Sequence, residues 1–196
     1  MGRNRIVDQQ AILDAAERVV GRDGAANLTV DAVAREAGVH KASVLYDHKS
    51  KQALVEAVVN RAFERDAALH ASIEEQVDAS EDRAIKSRII AASEPPREEF
   101  KAVALNLSAA LALDAGLRNK MQQSQAQTIF RIEETSSSPR GALLAYLALE
   151  GLKFLEYLDF HHFPREERDR ILREINWLVK AQPEEIELTD LMATDF

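Results

Sequence analysis

Apolar residues recur along this chain with the spacing of amphipathic helices. In the first segment, positions three and four residues apart share one helical face, which holds Ile12, Leu13, Ala16, Val19 and Val20. A longer face farther along the chain consists of Leu54, Val55, Val58, Val59, Ala62, Phe63, Leu69 and Ile73. No stretch alternates apolar and polar residues, with β-branched enrichment, for long enough to predict a sheet. The pattern therefore predicts an all-α fold of about nine helices.

Capping residues divide the N-terminal segment into short helices. Thr29 is a suitable N-cap for a second helix, and Gly38 ends that helix because glycine takes a positive φ without steric cost. A third helix is predicted from about Lys41 to Asp47, and Ser50 begins a long fourth helix over residues 50–79. Two short helices joined by a tight turn are the parts of a helix-turn-helix.

The second of these short helices has an outer face suited to a DNA groove. Val39 and Val44 are expected to face inward, which leaves outward the side chains of Lys41, Ala42, Ser43, Tyr46 and Asp47. Small side chains allow close entry into a major groove, and a serine hydroxyl can bond a base edge or a phosphate. The alternative interpretation is a plain helical hairpin inside an all-α core.

The same residues resemble the N-terminal domain of the TetR family of regulators. The resemblance covers residues 5–60 without a gap, and its motifs are Ile12 to Ala16, Gly24, Leu28 to Val39, Lys41 to Tyr46 and Ser50 to Leu54. It implies that Thr29 contacts phosphate from the start of the second helix. It also implies operator contacts by the third helix through Lys41, Ala42, Ser43 and Tyr46, and a phosphate contact by Lys51.

Several positions depart from the family pattern or leave a choice open. His40 stands where a serine or threonine N-cap is usual, and His48 and Lys49 replace a common aromatic and proline. Asp47 places a negative charge near DNA, where it would disfavour phosphate or accept a hydrogen bond from cytosine. Arg3 and Arg5 would form either a minor-groove arm or an ordinary frayed terminus.

The C-terminal part predicts a dimer. The segment from Pro139 to Phe160 is apolar on nearly all sides, so we expect one of its sides to meet a second copy of the chain. The predicted interface holds Leu147, Phe154, Leu158, Ile175, Trp177 and Leu178. Trp177 would either anchor the dimer or be covered by the tail residues Ile186, Leu188 and Leu191. In the TetR family the last two helices pair with their copies in a four-helix bundle.

A pocket for a small molecule is expected between the helices of residues 80–160. Its candidate lining combines aromatic, sulfur and polar side chains, namely Phe100, Leu107, Met121, Phe130, Tyr146 and Glu150. The alternative interpretation is that these residues are ordinary core at helical spacing.

Charge divides the chain into a neutral N-terminal part and an acidic remainder. The net charge is −8, yet residues 1–60 hold 8 Lys or Arg and 8 Asp or Glu. Residues 61–196 hold 17 basic and 25 acidic residues, so the whole excess lies there. An acidic body would repel DNA everywhere except at the N-terminal domain, so the acidic total is compatible with a DNA reader.

Composition and motifs exclude several other classes of function. The chain has no cysteine, which removes disulfides, thiolate metal sites and cysteine nucleophiles. It has neither a signal peptide nor an apolar stretch long enough to span a bilayer, so we expect a soluble, cytoplasmic protein with no membrane partner. It carries no hydrolase elbow, zinc-protease, Walker or dinucleotide motif, so we expect no enzyme, cofactor or metal. His161 and His162 are interpreted as part of a loop.

The sequence therefore predicts three regions: a DNA-binding domain at 1–49, a ligand-binding and dimerisation domain at 50–182, and an acidic tail at 183–196. The predicted protein is a homodimeric repressor that leaves a pseudo-palindromic DNA operator when a small-molecule effector binds. The alternative is an adaptor, or a regulator without a small-molecule ligand, that keeps the helix-turn-helix.

Overall fold

The computed structural model describes residues 9–24, 27–77, 81–98, 101, 104–105, 108, 111–112 and 114–183. These residues form eight helices: α1 (Gln9–Asp23), α2 (Val30–Ala37), α3 (Lys41–Asp47), α4 (Lys51–Gln76), α5 (Arg83–Ala91), α6 (Ala115–Thr135), α7 (Pro139–Tyr157) and α8 (Arg165–Leu178). Residues 98, 101, 104–105, 108 and 111–112 are helical as well, and the described part of the chain contains no strand. The predicted all-α fold is confirmed.

The first hydrophobic core joins α1, α2, α3 and the first half of α4. Its largest fully buried side chains include Ile12, Leu28, Val44 and Leu54. The caps predicted from the sequence hold these helices in place: the Thr29 hydroxyl accepts a hydrogen bond from the amide of Ala32 at 3.1 Å. Gly38 ends α2 at a φ of 66°, a left-handed conformation that glycine adopts without strain.

Helix α4 runs without a break from the first core towards the second. The Ser50 side chain accepts a hydrogen bond from the amide of Ala53 at 3.0 Å, and this cap begins the helix. The helix has 26 residues and ends at Gln76, three residues before the predicted end, and it packs against α5. At 1.5 Å per residue it is about 39 Å long.

The second core is formed by α5, α6, α7 and α8. It contains Ile85, Ile132, Leu149, Leu172 and Ile175, all largely or fully buried. α7 and α8 approach closely at Gly141, where a Cβ atom would lie 2.7 Å from the carbonyl oxygen of Leu178 and closer still to that of Ala181. Only glycine fits at this crossing.

A proline stands at the start of each of the last two helices, in a different position in each. Pro139 is the first residue of α7. Pro164 instead precedes α8, which begins at Arg165, and its carbonyl oxygen accepts the hydrogen bond of the Arg168 amide at 2.9 Å. This prolongs the connection between α7 and α8 by one residue.

A buried arginine fastens α1 to α4. Arg61 of α4 is 5% exposed, donates to the carbonyl oxygen of Gln10 at 3.1 Å, and forms ion pairs with Asp14 and Glu17. Arg65, one turn farther along, pairs with the same two carboxylates, but its side chain is exposed. The hydrogen bond from Arg61 lowers the pKa of Asp14 below its ordinary value of 3.8. The α1–α4 contact thus combines apolar packing with one desolvated cation.

We expect Arg61→Met to lower the free energy of unfolding by about 1–3 kcal/mol, because the buried hydrogen bonds and ion pairs are lost. Arg65→Met is the matched control and should cost less than about 1 kcal/mol, since exposed pairs contribute little. Urea denaturation at pH 7 measures the free energy of unfolding of both variants. Equal decreases in the two variants would contradict the larger contribution assigned to the buried Arg61. Folding lowers the pKa of Asp14, so the contribution of its carboxylate to the free energy of unfolding is lost as the pH falls below 3.8. The difference in free energy of unfolding between wild type and Arg61→Met should therefore decrease in acid.

Candidate nucleic-acid interface

Helix α3 is fixed to the first core by one side chain and leaves its other side free. Val44 is fully buried, and α3 packs against α2 across the turn at Gly38 and Val39. The predicted helix-turn-helix is therefore present. His40 occupies the N-cap position in an extended conformation, but its side chain makes no capping hydrogen bond, unlike the side chain of Thr29 in α2. The departure noted at His40 thus leaves the start of α3 without a side-chain cap.

The outer face of α3 carries exposed apolar and aromatic side chains. Tyr46 is 87% exposed, Leu45 is 37% exposed, and Ala42 is also exposed. Ser43, predicted to face outward, is half-buried. Leu45 was not among the predicted contact residues. Its position was available from the sequence, because consecutive residues on a helix point about 100° apart and Leu45 directly follows the buried Val44.

Both charged side chains of α3 have partners on the preceding helices. The Lys41 ammonium lies 2.8 Å from the carboxylate of Asp31 in α2. The carboxylate of Asp47 accepts a hydrogen bond of 3.0 Å from the side-chain amide of Gln9 in α1. The two ends of α3 are therefore oriented by polar contacts with α2 and α1.

The remaining predicted DNA contacts lie at helix starts. Thr29 is exposed at the N-cap of α2, and its hydroxyl oxygen already accepts from the amide of Ala32. Lys51 is an exposed first residue of α4, directly after the Ser50 cap. A helix N-terminus favours anions, so both positions suit phosphate. Arg3 and Arg5 lie outside the described residues.

The four predicted pocket residues that the structure describes have different surroundings. Tyr146 is buried and donates a hydrogen bond to Gln125, and burial raises its pKa to about 12. Glu150 pairs with Lys153 at 2.9 Å, and Met121 is half-buried. Phe130 is 65% exposed, so it faces solvent and does not line an internal pocket. Phe100 and Leu107 lie outside the described residues.

A cavity that the sequence did not predict lies between α4, α5, α7 and α8. Its walls include Asp66, His70, Arg88, Tyr157 and the Glu156–Arg168 ion pair. His70 is 7% exposed, and neither ring nitrogen has a hydrogen-bond partner, although Nε2 lies 3.4 Å from the Asp66 carboxylate. The cavity measures about 60 Å³, far below the roughly 300 Å³ of a typical small-molecule pocket. Within the described residues this is room for water.

The predicted dimer residues divide into three groups. Leu147, Phe154 and Trp177 are exposed, the last at 71%. Leu158 and Leu178 are half-buried, and Leu178 packs against the second core. Ile175 is 3% exposed inside its own chain's core, so it has no surface left for a partner and is removed from the predicted interface. The tail residues that were predicted to cover Trp177 lie outside the described residues; they are Ile186, Leu188 and Leu191.

The histidine pair considered in the sequence analysis lies in a loop. His161 and His162 lie in the connection between α7 and α8, where His162 contacts the carboxylate of Asp159 at 2.8 Å. Over the described ranges, no group of three or more potential ligands could hold a metal ion. None of the eight helices is long and apolar enough to cross a membrane.

Two family models match the chain. Residues 12–58 match the model of bacterial regulatory proteins of the tetR family, and residues 82–180 match the tetracyclin repressor-like C-terminal domain. Together the two matches span the helix-turn-helix and the helices of the second core. No curated protein sequence matches the chain.

Several solved structures share the fold. The transcriptional regulator SCO7518 of Streptomyces coelicolor A3(2) is 17% identical with a TM-score of 0.69, over 88% of this chain and 98% of that one. A TetR-family regulator from Rhodococcus sp. is 22% identical with a TM-score of 0.67, over 87% and 98% of the two chains. A regulator from Saccharomonospora viridis, solved with choline, is 16% identical with a TM-score of 0.67, over 87% and 94%.

Proposed function

The chain belongs to the TetR family of transcriptional regulators, and we propose that it acts as a dimeric repressor. In this proposal α3 enters the major groove of a pseudo-palindromic operator, and a small molecule in the C-terminal domain releases the DNA. One observation carries the DNA-binding part: Tyr46 stands 87% exposed on a helix whose opposite side is locked into the core by Val44. An aromatic side chain so exposed has no role in the fold of its own chain.

We assign the DNA-binding domain to residues 1–49, the ligand-binding and dimerisation domain to 50–182, and the acidic tail to 183–196. The two hydrophobic cores support this division, because α1 to α3 contribute to the first and α5, α7 and α8 to the second. α4 lies across the boundary, and Leu117 of α6 belongs to the first core.

Binding of the full chain to DNA is tested by a mobility shift on the DNA upstream of its own gene. Lys51→Ala should weaken binding to every duplex alike and lower the salt slope by about one, because it removes one phosphate contact. Tyr46→Ala should instead change the preference among duplexes. Lys120→Ala, an exposed lysine on α6, is the control and should leave binding unchanged. A folded protein that shifts no duplex at low salt would refute the proposal.

The dimer is proposed to form through one face of α7. The exposed positions Leu144, Leu147, Gly151 and Phe154 follow helical spacing along this face, and Trp177 projects from α8. A Cβ atom at Gly151 would meet nothing within 4 Å in its own chain. Because a helical glycine costs stability without packing a side chain, we infer that the partner's α7 crosses closest at Gly151.

Gly151→Ala should have opposite effects on the stability of the single chain and on the affinity of the dimer. In a lone chain the substitution should stabilise α7 by roughly 0.5–1 kcal/mol. In the dimer the added methyl group should push the two helices apart and raise the dissociation constant of the dimer. Sedimentation over a dilution series measures this constant, with Leu147→Ala as a second weakening variant and the exposed Glu134→Ala as the control. A Gly151→Ala dimer as tight as wild type would place the crossing elsewhere.

Release of DNA is proposed to pass from α6 to the DNA-binding domain. Leu117, near the start of α6, is 1% exposed within the first core. The side-chain amide of Gln52, at the start of α4, donates to the Asp114 carboxylate that also caps α6. A ligand that shifts α6 would therefore displace the first turns of α4, and the two DNA-binding domains of a dimer would lose the spacing of successive grooves.

One neighbouring structure supports a small-molecule effector, since the S. viridis regulator is solved with choline. The alternative is a regulator without such a ligand, and the small volume of the cavity at His70, about 60 Å³ among the described residues, agrees with it. A thermal-shift screen that starts with choline distinguishes the two, because an effector raises the melting temperature and a protein without one shows no shift.

For an effector found in this way, Leu117→Ala should retain the thermal shift but reduce the release of DNA measured by fluorescence anisotropy. Ile132→Ala is the matched control, because Ile132 is equally buried in the same helix but packs in the second core. Each substitution leaves a cavity and costs about 2–5 kcal/mol of stability. Equal release by the two variants would contradict the proposed route.

A further inference from the structure

The surface that α3 presents to DNA is mainly apolar. Ala42, Leu45 and Tyr46 are spaced three and four residues apart, so they form one continuous patch on the exposed side of the helix. Ser43, whose hydroxyl could read a polar base edge, is half-buried beside this patch. The side chains placed to enter the groove first therefore offer methyl, methylene and ring surface.

The two charged side chains of α3 are turned towards its neighbours. Lys41 pairs with Asp31 at 2.8 Å, and Asp47 accepts from Gln9 at 3.0 Å. To read guanine, Lys41 would have to leave Asp31, whose exposed carboxylate would then face DNA without a partner. An exposed pair of this kind is worth only about 0–1 kcal/mol, so it is the loss of compensation at Asp31 beside the phosphates that disfavours the exchange.

Only one base offers an apolar group in the major groove. The C5 methyl group of thymine projects there, whereas adenine, guanine and cytosine present hydrogen-bonding groups. We propose that α3 selects its operator by packing Ala42, Leu45 and Tyr46 against thymine methyl groups. This inference rests on the proposed DNA binding and names the chemistry by which that surface recognises sequence.

The charge balance of the N-terminal part supports this mode of recognition. Residues 1–60 carry equal numbers of basic and acidic side chains, so counterion release supplies less affinity here than in a strongly basic domain. Several of the cations are already paired within the chain, among them Arg18 and Arg22 with Glu36. A larger share of the discrimination then falls to contacts at the base edges.

The test begins with duplexes selected by the full chain from a random 24-base-pair library. In the best duplex each thymine is replaced, one at a time, by 2′-deoxyuridine, which pairs identically and lacks only the methyl group. We expect the dissociation constant to rise about fourfold at two or three positions of each half-site, the change that one buried methyl group produces. Replacement at the other thymines should change it by less than about 1.5-fold.

Variants assign the methyl groups to side chains. Leu45→Ala should abolish the uridine effect at one thymine and retain it at the others, as expected of a directly coupled pair. Tyr46→Phe should retain every effect, because the ring and not the hydroxyl makes the contact. Lys51→Ala is the control and should weaken the thymine and uridine duplexes by the same factor.

Two outcomes would overturn the inference. The first is that uridine substitution leaves the dissociation constant unchanged at every position. The second is that replacing guanine by 7-deazaguanine, which lacks the N7 acceptor, weakens binding of the wild type but not of Lys41→Ala, while uridine substitution has no effect. In both cases a selected duplex still binds, so the proposed function survives. A chain that selects no duplex at all would overturn the proposed function and the inference together.

Discussion

The structure depends on the burial of one face of α4 in the first core. Leu54, Val58 and Val59 are almost completely buried there among the residues of α1 to α3, while the far half of the same helix packs against α5. Each buried aliphatic side chain contributes about 1.5–3 kcal/mol, so α4 and the DNA-binding helices resist separation. Arg61 adds polar contacts with Asp14, Glu17 and the carbonyl oxygen of Gln10. Hence α3 is coupled to α4 through the first core.

Local signals made much of this fold predictable. Thr29, Ser50 and Asp114 cap the helices that follow them, and Gly38 takes the left-handed conformation that ends α2. These features depend on neighbours within four residues, so the sequence contains their causes. The helix-turn-helix was predictable for the same reason, because the burial of Val44 follows from the local periodicity of apolar residues.

Predictions that required knowledge of partners in space were less accurate. Ile175 was predicted to lie at the dimer interface but belongs to the core of its own chain, whereas Trp177, two residues away, is exposed. Periodicity identifies an apolar face but not whether its own chain or another covers it. Phe130 illustrates the same ambiguity, since an apolar residue at helical spacing lies on the surface of α6. The cavity at His70 requires four helices to meet, which no local pattern encodes.

The length of α4 explains how a small movement in the C-terminal part would be transmitted as a displacement of the DNA-binding helices. A helix about 39 Å long that tilts by roughly 5° moves its far end by about 3 Å, close to the rise of one base pair. In the proposed dimer the half-sites lie about 34 Å apart, so a shift of this size at each domain would take α3 out of register with its bases. Leu117 makes such a tilt selective, because it ties the start of α6 to the first core rather than to the second. In the proposed release of DNA, a movement at the start of α6 would therefore act directly on the first core, while Ile132 anchors the far end of α6 in the second core.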